Sequence, residues 1–404
     1  MQNKTLLWAV GAMIALRVVL AVVTPVFDTS EARYAAISAN MARTGDFLVP
    51  RFTYRDRYVS FEGKPPLLFQ LAGGACRLFG VREWCVRLPG VVGFLVVLAL
   101  IAYCGKVVKG WACGLQAVGI CVSSTALFAL SGFCMPDVLL VACVASAYLC
   151  QLMFLASGKR NWSLGVFLSL ALGMVVKGPV SLALFGIGAA LDAWANGRII
   201  GILRGYRWGL GAALFLVIVL PWFVLMERAQ PGFCRYFFLN ENLLRFLVHD
   251  YGDRYGSGRE TFRGMALVWM VVVTLPWTPL LYWTRSNGWR DGSISNLLRW
   301  GVVGMTGFWC LTSRVPVAYL IPVAPLAALW LAIECRKPWI SRMLPLAMGA
   351  TSLVLTLSLV AGMVWSGKME GEQAPYRRNR YSYEFYHGTP AWIPRETEAL
   401  PCRQ

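Results

Sequence analysis

Charge is scarce in this sequence, and negative charge scarcer still. Only 14% of the 404 residues are charged, where a soluble domain averages about 25%, which excludes an ordinary water-soluble globular domain. The 38 Lys and Arg outnumber the 20 Asp and Glu, for a net charge of +18. The twelve cysteines form no CxxC pair and show no metal-ligand spacing, which argues against zinc-ribbon and thioredoxin-type sites. No His/Asp/Glu ligand set stands out either. The pair Gly63-Lys64 lacks both the upstream glycine and the following Ser/Thr of a nucleotide-binding P-loop. Alternating strands of the barrel type are missing, and no repeat relates the two halves of the chain. The positive charge is scattered around a chain of many apolar segments, which disfavours a nucleic-acid partner.

What is abundant is apolar sequence: 57% of the residues are hydrophobic. They fall into runs close to the ~20 residues that a helix needs to cross the hydrocarbon core of a bilayer, where helices satisfy every backbone polar group internally. The expectation is an all-α polytopic membrane protein with eleven spans. They centre on 6–26, 89–106, 112–131, 135–156, 162–176, 178–195, 208–226, 263–284, 297–313, 316–334 and 343–365. Lys177-Gly178-Pro179 cuts the apolar stretch 162–195 into a tight hairpin, because Gly and Pro punctuate helices and a lysine at mid-membrane is expensive. The first segment lacks a small-residue cleavage site and reads as a span rather than a signal peptide.

Orientation follows from positive residues in short loops. One set of loops carries Lys106 and Lys109, Lys159 and Arg160, Arg198, Arg204 and Arg207, Arg285, Arg290 and Arg299, then Arg336, Lys337 and Arg342; the opposite short loops carry Lys177 and Arg314. This places the N-terminus in the cytoplasm. It leaves two long loops outside, 27–88 and 227–262, and a polar outside tail, 366–404, beyond a transmembrane domain covering 1–365. Cys76, Cys85, Cys234 and Cys402 then lie outside, where disulfides form, whereas Cys104, Cys121, Cys143 and Cys310 sit in apolar runs as small hydrophobes.

The outside segments hold the chemistry. In "FDTSEARYAAISANMARTGDF", Ala32, Ala35, Ala36 or Ile37, Ala39 and Met41 recur at helical spacing, which predicts a short helix in the interface plane. Asp28, Thr29 or Ser30 can cap it; a cap accounts for one acid but not for Asp28, Glu31, Arg33 and Tyr34 together. "YVSFEGKPPLLFQLAGGACRLFG" sets Glu62 and Lys64 before a second apolar helix. Asp137 in "SGFCMPDVLL" and Lys177 in "VVKGPV" mark two further turns. In "NENLLRFLVHD", Glu241, Arg245 and His249 are spaced by four and share a face if helical. "CLTSRVPVAYLIPVAP" adds Arg314 and Tyr319. Arginine offers a planar, permanently charged fork for phosphate oxygens, and attack by a hydroxyl on a sugar carbon calls for a carboxylate. The outside face offers both. Each residue also has a bland reading as a cap, a snorkelling lysine or a solvated charge.

These motifs, in this order, resemble the polyprenyl-phosphate-sugar glycosyltransferases of the GT-C fold. The likeness is strongest to the bacterial branch that includes the lipid A aminoarabinose transferase and the related protein mannosyltransferases. "SEARYAAISANMARTGD" is similar to the family's first-loop motif and "GKPPLLFQL…RLFGVREWCVRLPG" to its Lys-Pro-Pro-Leu segment. "PDVLL", "KGPVSLAL", "NENLLRFL" and "SRVPVAYLIPVAP" are similar to later landmarks, so the likeness runs from about 1 to 335. It implies a transmembrane bundle with two interfacial helices in the first outside loop. It implies as partners an undecaprenyl-phosphate sugar donor and lipid A or another envelope glycan as acceptor, with transfer at the outer face of the bacterial inner membrane. Carried over, Arg33, Lys64, Arg245 and Tyr319 surround the carrier phosphate, with Lys177 and Arg314 second in line. A first-loop acid, Glu31 or Asp28, acts on the acceptor, and Asp137 assists it or binds a divalent cation. Tyr34, Glu62, Glu241 and His249 are further donor or acceptor contacts. The sequence departs from the family where Asp-Glu becomes Ser30-Glu31, where Glu62-Gly63-Lys64 replaces Glu-Lys, where no arginine precedes Asp137, and in having a short tail in place of a large C-terminal domain. A competing class, a transporter or flippase of a lipid-linked sugar, usually buries ionisable groups at the midplane and shows internal repeats. Here only Arg17 is a clear mid-span charge, which favours the enzyme. A membrane scaffold would need no such concentration of acids and bases.

Overall fold

The computed structural model describes residues 2–27, 30–54, 57–248, 251, 254–255, 260–283, 294–335, 338–372 and 380–388. The chain is helical almost throughout. Helix α1 (Gln2–Val23) leads into α2 (Ser30–Thr44), a two-stranded hairpin of β1 (Arg51–Tyr54) and β2 (Arg57–Ser60), and α3 (Leu67–Phe79). There follow α4 (Glu83–Lys109), α5 (Trp111–Val122), α6 (Thr125–Leu130), α7 (Pro136–Ser157), α8 (Trp162–Lys177), α9 (Val180–Ala195), α10 (Ile199–Gly205) and α11 (Trp208–Ala229). A π-helical segment, Tyr236–Leu244, runs into a single turn at Arg245–Leu247. The second half continues through α12 (Met265–Thr274), α13 (Thr278–Trp283), α14 (Ser295–Cys310), a 3-10 turn at Val317–Leu320, α15 (Val323–Glu334), α16 (Pro338–Glu372) and α17 (Arg380–His387).

Each of the eleven expected spans meets a helix or a broken pair of helices. Among the described residues, five helices are long and apolar enough to cross a membrane: α1, α4, α7, α11 and part of α16. The others are shorter or broken, and the pair α9 and α10 bends by 119°. Helix α7 is the centre of the bundle. Of its apolar window 83% is buried, against 33% in α1 and 28% in α11, so α7 faces protein and the other two face lipid. It packs on α4 and α8 and touches α9, α14 and α15. Where α9 crosses α14 the backbones approach closely: a Cβ on Gly188 would lie 2.7 Å from the Gly301 Cα and 2.2 Å from the Tyr148 hydroxyl. Small residues at such crossings let membrane helices pack by dispersion, which replaces the hydrophobic effect as the driving force in lipid.

The expected hairpin after Lys177 is present. Helix α8 ends at Lys177, Gly178 turns the chain at φ +95°, and α9 starts at Val180; glycine adopts that φ without a Cβ penalty.

The first loop departs most from expectation. The two helices are there, and α2 is enclosed more fully than an amphipathic surface helix, since residues 31, 32 and 34–41 are all buried. Helix α3 covers it on one side and the tail helix α17 on another. Between α2 and α3 the antiparallel hairpin, in register Arg51↔Ser60 and Tyr54↔Arg57, adds Phe52 to an aromatic cluster. Phe61 sits at its middle, with ring centroids 5.5 Å from Phe52, 5.9 Å from Phe69, 6.2 Å from Tyr34 and 4.9 Å from Tyr255 of the second loop. The Tyr255 hydroxyl donates to the Ser60 carbonyl at 3.0 Å and accepts the Glu62 N–H at 2.9 Å. The two long loops are thereby fastened together beside Lys64.

The tail is also docked. The buried Glu384 carboxylate accepts hydrogen bonds from the Asn40 amide at 2.7 Å and from the Thr53 N–H and hydroxyl at 3.0 Å. Arg43 donates to the carbonyls of Glu384 and Phe385 at 3.0 and 2.6 Å. Burial lowers the pKa of Arg43 from its ordinary value, and the charge of Glu384 opposes that shift.

Candidate active site

One cavity of about 540 Å³ collects side chains from four separate parts of the chain. Lys64 comes from the segment before α3, and Lys177 from the end of α8. Glu241 and Arg245 come from the π-helical segment and the turn after it. Arg314 and Tyr319 come from the connection between α14 and α15. All of these belong to loops that the positive-inside pattern assigns to one side. Phe238, Leu243, Phe246, Leu247, Phe308 and Trp309 form the apolar part of the wall. Phe246 stacks on Phe308 at 4.8 Å and Trp309 packs on Tyr319 at 4.5 Å. The cavity lining therefore combines cationic with aromatic and aliphatic side chains.

The four cations are not equally available. The Lys177 ammonium bonds Asp137 at 2.5 Å and stands 3.8 Å from the Tyr319 ring centroid. Arg314 holds Glu260 through two nitrogens at 2.8 and 2.7 Å and donates to the Tyr251 carbonyl at 2.7 Å. Their side chains are only 5% and 8% exposed. Lys64 and Arg245, by contrast, are 15% and 24% exposed and both bond a single oxygen, Oε1 of Glu241, at 2.5 and 2.6 Å. Two positive groups thus meet on one carboxylate oxygen in the more exposed part of the cavity, the part that an anionic ligand would reach first.

The sequence candidates fall into two groups. Lys64, Lys177, Glu241, Arg245, Arg314 and Tyr319 come together in the cavity, and Asp137 stands directly behind Lys177. The i,i+4 pairing of Glu241 with Arg245 is as the spacing predicts, although the backbone leading to it is π-helical. Arg33 and Tyr34 do not line this cavity. Arg33 lies 5.2 and 5.6 Å from the ring centroids of Tyr34 and Phe61, within the aromatic cluster. Glu62 is tied down by Arg254 at 2.6 Å and by the Ser60 hydroxyl at 3.2 Å. Asp28 and His249 lie outside the described residues.

Glu31 is enclosed by partners on both oxygens. Both of its oxygens bond Arg87, at 2.7 and 3.0 Å, and they also accept the N–H groups of Phe27 and Cys134 at 3.0 and 3.1 Å. Arg87 is 1% exposed and further bonds the carbonyls of Ala21, Thr24 and Pro25. The pair clamps the end of α1, the start of α2, α4 and the turn before α7 to one another. Sequence reasoning included Arg87 in the quoted first-loop stretch, as the start of Arg87-Leu88-Pro89, but gave it no role. Its signal was an arginine within the first turns of an apolar helix, where a charge is costly unless paired.

Among the described residues no three His, Cys, Asp or Glu side chains gather as a metal site would need, and the one carboxylate oxygen of Asp137 that bonds here is taken by Lys177. Cys76, Cys85 and Cys234 are free thiols.

Comparison with known proteins agrees with the resemblance read from the motifs. Residues 63–225 match the family described as dolichyl-phosphate-mannose-protein mannosyltransferase. The undecaprenyl phosphate-alpha-4-amino-4-deoxy-L-arabinose arabinosyl transferase of Edwardsiella ictaluri is 26% identical over 324 residues, which are 75% of this chain and 54% of that protein. Arabinosyl transferase 1 of the same kind from Sodalis glossinidius is 27% identical over 351 residues, 83% of this chain and 60% of that one. The chain thus spans a little over half the length of these relatives. The crystal structure of ArnT from Cupriavidus metallidurans bound to undecaprenyl phosphate matches with a TM-score of 0.71 at 19% identity, over 95% of this chain and 69% of that one. The apo oligosaccharyltransferase of Archaeoglobus fulgidus matches with a TM-score of 0.53 at 13% identity, over 98% and 61%. The fold is the GT-C-type membrane fold.

Proposed function

We propose that this chain is an integral membrane glycosyltransferase. In this reading it moves a sugar from an undecaprenyl-phosphate carrier to lipid A or another envelope glycan at the outer face of the bacterial inner membrane. The observation that carries the reading is the mixed lining of the cavity, with Lys64 and Arg245 converging on one point among aromatic and aliphatic side chains. A polyprenyl phosphate sugar has the matching make-up, a phosphate joined to a long apolar chain. Lys64 and Arg245 take the phosphate oxygens. Lys177 and Arg314 also line the cavity, their charges offset by Asp137 and Glu260, and Tyr319 stands beside them. As the bond from the anomeric carbon to the phosphate oxygen breaks, negative charge grows on the departing phosphate. Cations already in place stabilise that charge without reorganising, an arrangement that is commonly the largest single contribution to catalysis.

The names of the relatives point to aminoarabinose as the sugar. Glu31 acts in this reading as a structural clamp with Arg87, and Arg33 stabilises the first-loop aromatic cluster. The test supplies membranes containing the full chain with undecaprenyl-phosphate aminoarabinose and lipid A. Mass spectrometry should find lipid A heavier by one aminoarabinose residue with the wild type and not with Arg245→Ala. Intact donor moved across the membrane with no glycosylated product would mean a transporter instead.

A further inference from the structure

A second cavity, of about 580 Å³, opens between α1, α4 and α5 and shares no lining residue with the first. It lies at the ends of α1 and α4 remote from the Glu31–Arg87 clamp, about one helix length away at ~1.5 Å per residue. Leu7 and Val10 of α1, Leu98 and Ala102 of α4, and Leu115 and Val118 of α5 form its walls. Two contacts frame it. Where α4 meets α5 the backbones approach closely, since a Cβ on Gly105 would lie 2.6 Å from the Gly114 Cα. Helix α1 reaches α5 through Leu6, which a Cβ on Gly119 would meet at 3.3 Å. Leu6 and Val10 are buried and Leu7 is exposed, so the space is backed by packed helices and open along α1.

The remaining lining residues, Lys4 and Trp111, give the cavity a polar end. Lys106 joins them, its ammonium 4.5 Å from the centroid of the Trp111 ring. Lys4 and Lys106 are both exposed, and among the described residues neither pairs with a carboxylate. The sequence gives the reason: no Asp or Glu occurs in 1–27 or in 84–136, which together hold all of α1 and α5 and all but the first residue of α4. Trp8, one turn on from Lys4, and Trp111 are largely exposed, as tryptophans at the level of lipid headgroups are.

An apolar cavity holds no ordered water, which needs several polar partners; a cavity open to lipid takes an acyl chain instead. The two unopposed ammonium groups at its end select the headgroup, because a lysine near the bilayer surface attracts anionic lipid. We propose that the space between α1, α4 and α5 is a binding site for one anionic phospholipid, with an acyl chain among Leu7, Leu98 and Leu115 and the headgroup phosphate at Lys4 and Lys106. In the orientation proposed above, this is a lipid of the inner leaflet. The site goes beyond the transferase reading and stands or falls independently of it.

The experiment uses the full chain, delipidated in detergent, with native mass spectrometry and thermal unfolding as readouts. The probes are dioleoyl phosphatidylglycerol, which is anionic, and dioleoyl phosphatidylcholine, which has the same chains and no net charge. One phosphatidylglycerol per chain should bind about tenfold or more tightly than phosphatidylcholine and raise the melting temperature by mass action. Lys4→Gln and Lys106→Gln should each weaken that binding about fivefold and leave phosphatidylcholine binding as it was. Ala102→Phe fills the cavity and should abolish the tight site. Both lysine variants alter only exposed side chains, so their result stands even if Ala102→Phe folds poorly. Equal binding of the two phospholipids, or lysine variants that bind phosphatidylglycerol like the wild type, would overturn the proposal. So would a folded Ala102→Phe that still holds the lipid, which would place it on the general lipid-facing surface. A dimer that Ala102→Phe disrupts would overturn it too, by making the occupant a second copy of the chain.

Discussion

Removing the charge of Glu31 separates its structural task from a chemical one. In Glu31→Gln the Arg87 guanidinium keeps its bonds to the carbonyls of Ala21, Thr24 and Pro25 but loses its counter-charge while only 1% exposed. Breaking a buried pair by removing one partner costs about 3–5 kcal/mol; with those carbonyl bonds retained, the lower end, about 3 kcal/mol, applies. Arg87→Met should cost a similar amount, since it strands the carboxylate and three carbonyls. The double variant Glu31→Gln, Arg87→Met removes both charges and leaves an amide to accept the Phe27 and Cys134 N–H groups. Its loss should therefore fall short of the sum of the two by about 2 kcal/mol, within the range of coupling between residues in contact. Thermal unfolding of the full chain in nanodiscs measures the cycle, and the transfer assay is run on the same samples. If Glu31 is a clamp, transfer follows the folded fraction in all three variants. A double variant that melts near the wild type and binds undecaprenyl phosphate, yet transfers 10²-fold more slowly or worse, would refute this reasoning and restore Glu31 to the chemistry.

Two further variants probe the scaffold. Gly188→Ala puts a methyl 2.7 Å from the Gly301 Cα and 2.8 Å from the Trp300 carbonyl, so the α9–α14 crossing must open; an overpacking loss of about 1–3 kcal/mol is expected, read as a lower melting temperature, and an unchanged one would contradict the close approach. Glu384→Ala removes the buried acceptor of the Thr53 N–H and hydroxyl, while the Asn40 amide keeps the Arg51 carbonyl, at about 1–3 kcal/mol for each donor left unpaired. Hydrogen exchange should quicken in 51–60 and in α17 with little change in α7, whereas unaltered protection of the hairpin would show that the tail does not brace it.

The sequence was most readable where one constraint dominates. Lipid demands long apolar helices, so the order and centres of the spans follow from hydropathy, and the Lys177-Gly178-Pro179 break follows from glycine and proline. The cavity was legible in part for the same reason: Lys64, Lys177, Arg245, Arg314 and Tyr319 fall in loops that the charge pattern assigns to one side of the spans, and they line one cavity. The first loop was harder. Ala32, Ala35 and Ala36 suit an interfacial helix and a buried one equally, and what decides between them is the covering by α3 and α17, two segments remote in sequence. The hairpin escaped because four-residue strands leave too short a pattern to read. Glu31 reads as chemistry because it stands beside an arginine-tyrosine pair, and its partner Arg87, 56 residues away, is not apparent from the sequence. Glu384 was invisible for a similar reason, since its hydrogen-bond partners lie more than 300 residues upstream.

The central claim is that Lys64 and Arg245 form the seat of a lipid-borne phosphate. Its most direct measurement is native mass spectrometry of the full chain titrated with undecaprenyl phosphate and, in parallel, with undecaprenol, which has the same tail and no phosphate. The account predicts that the phosphate lipid binds at least tenfold more tightly than the alcohol. It also predicts that Lys64→Met and Arg245→Met each remove about 1.5–3 kcal/mol, the worth of a hydrogen bond to a charged group, or roughly 10–100-fold in affinity. Equal binding of the two lipids, or variants that bind undecaprenyl phosphate like the wild type, would contradict it.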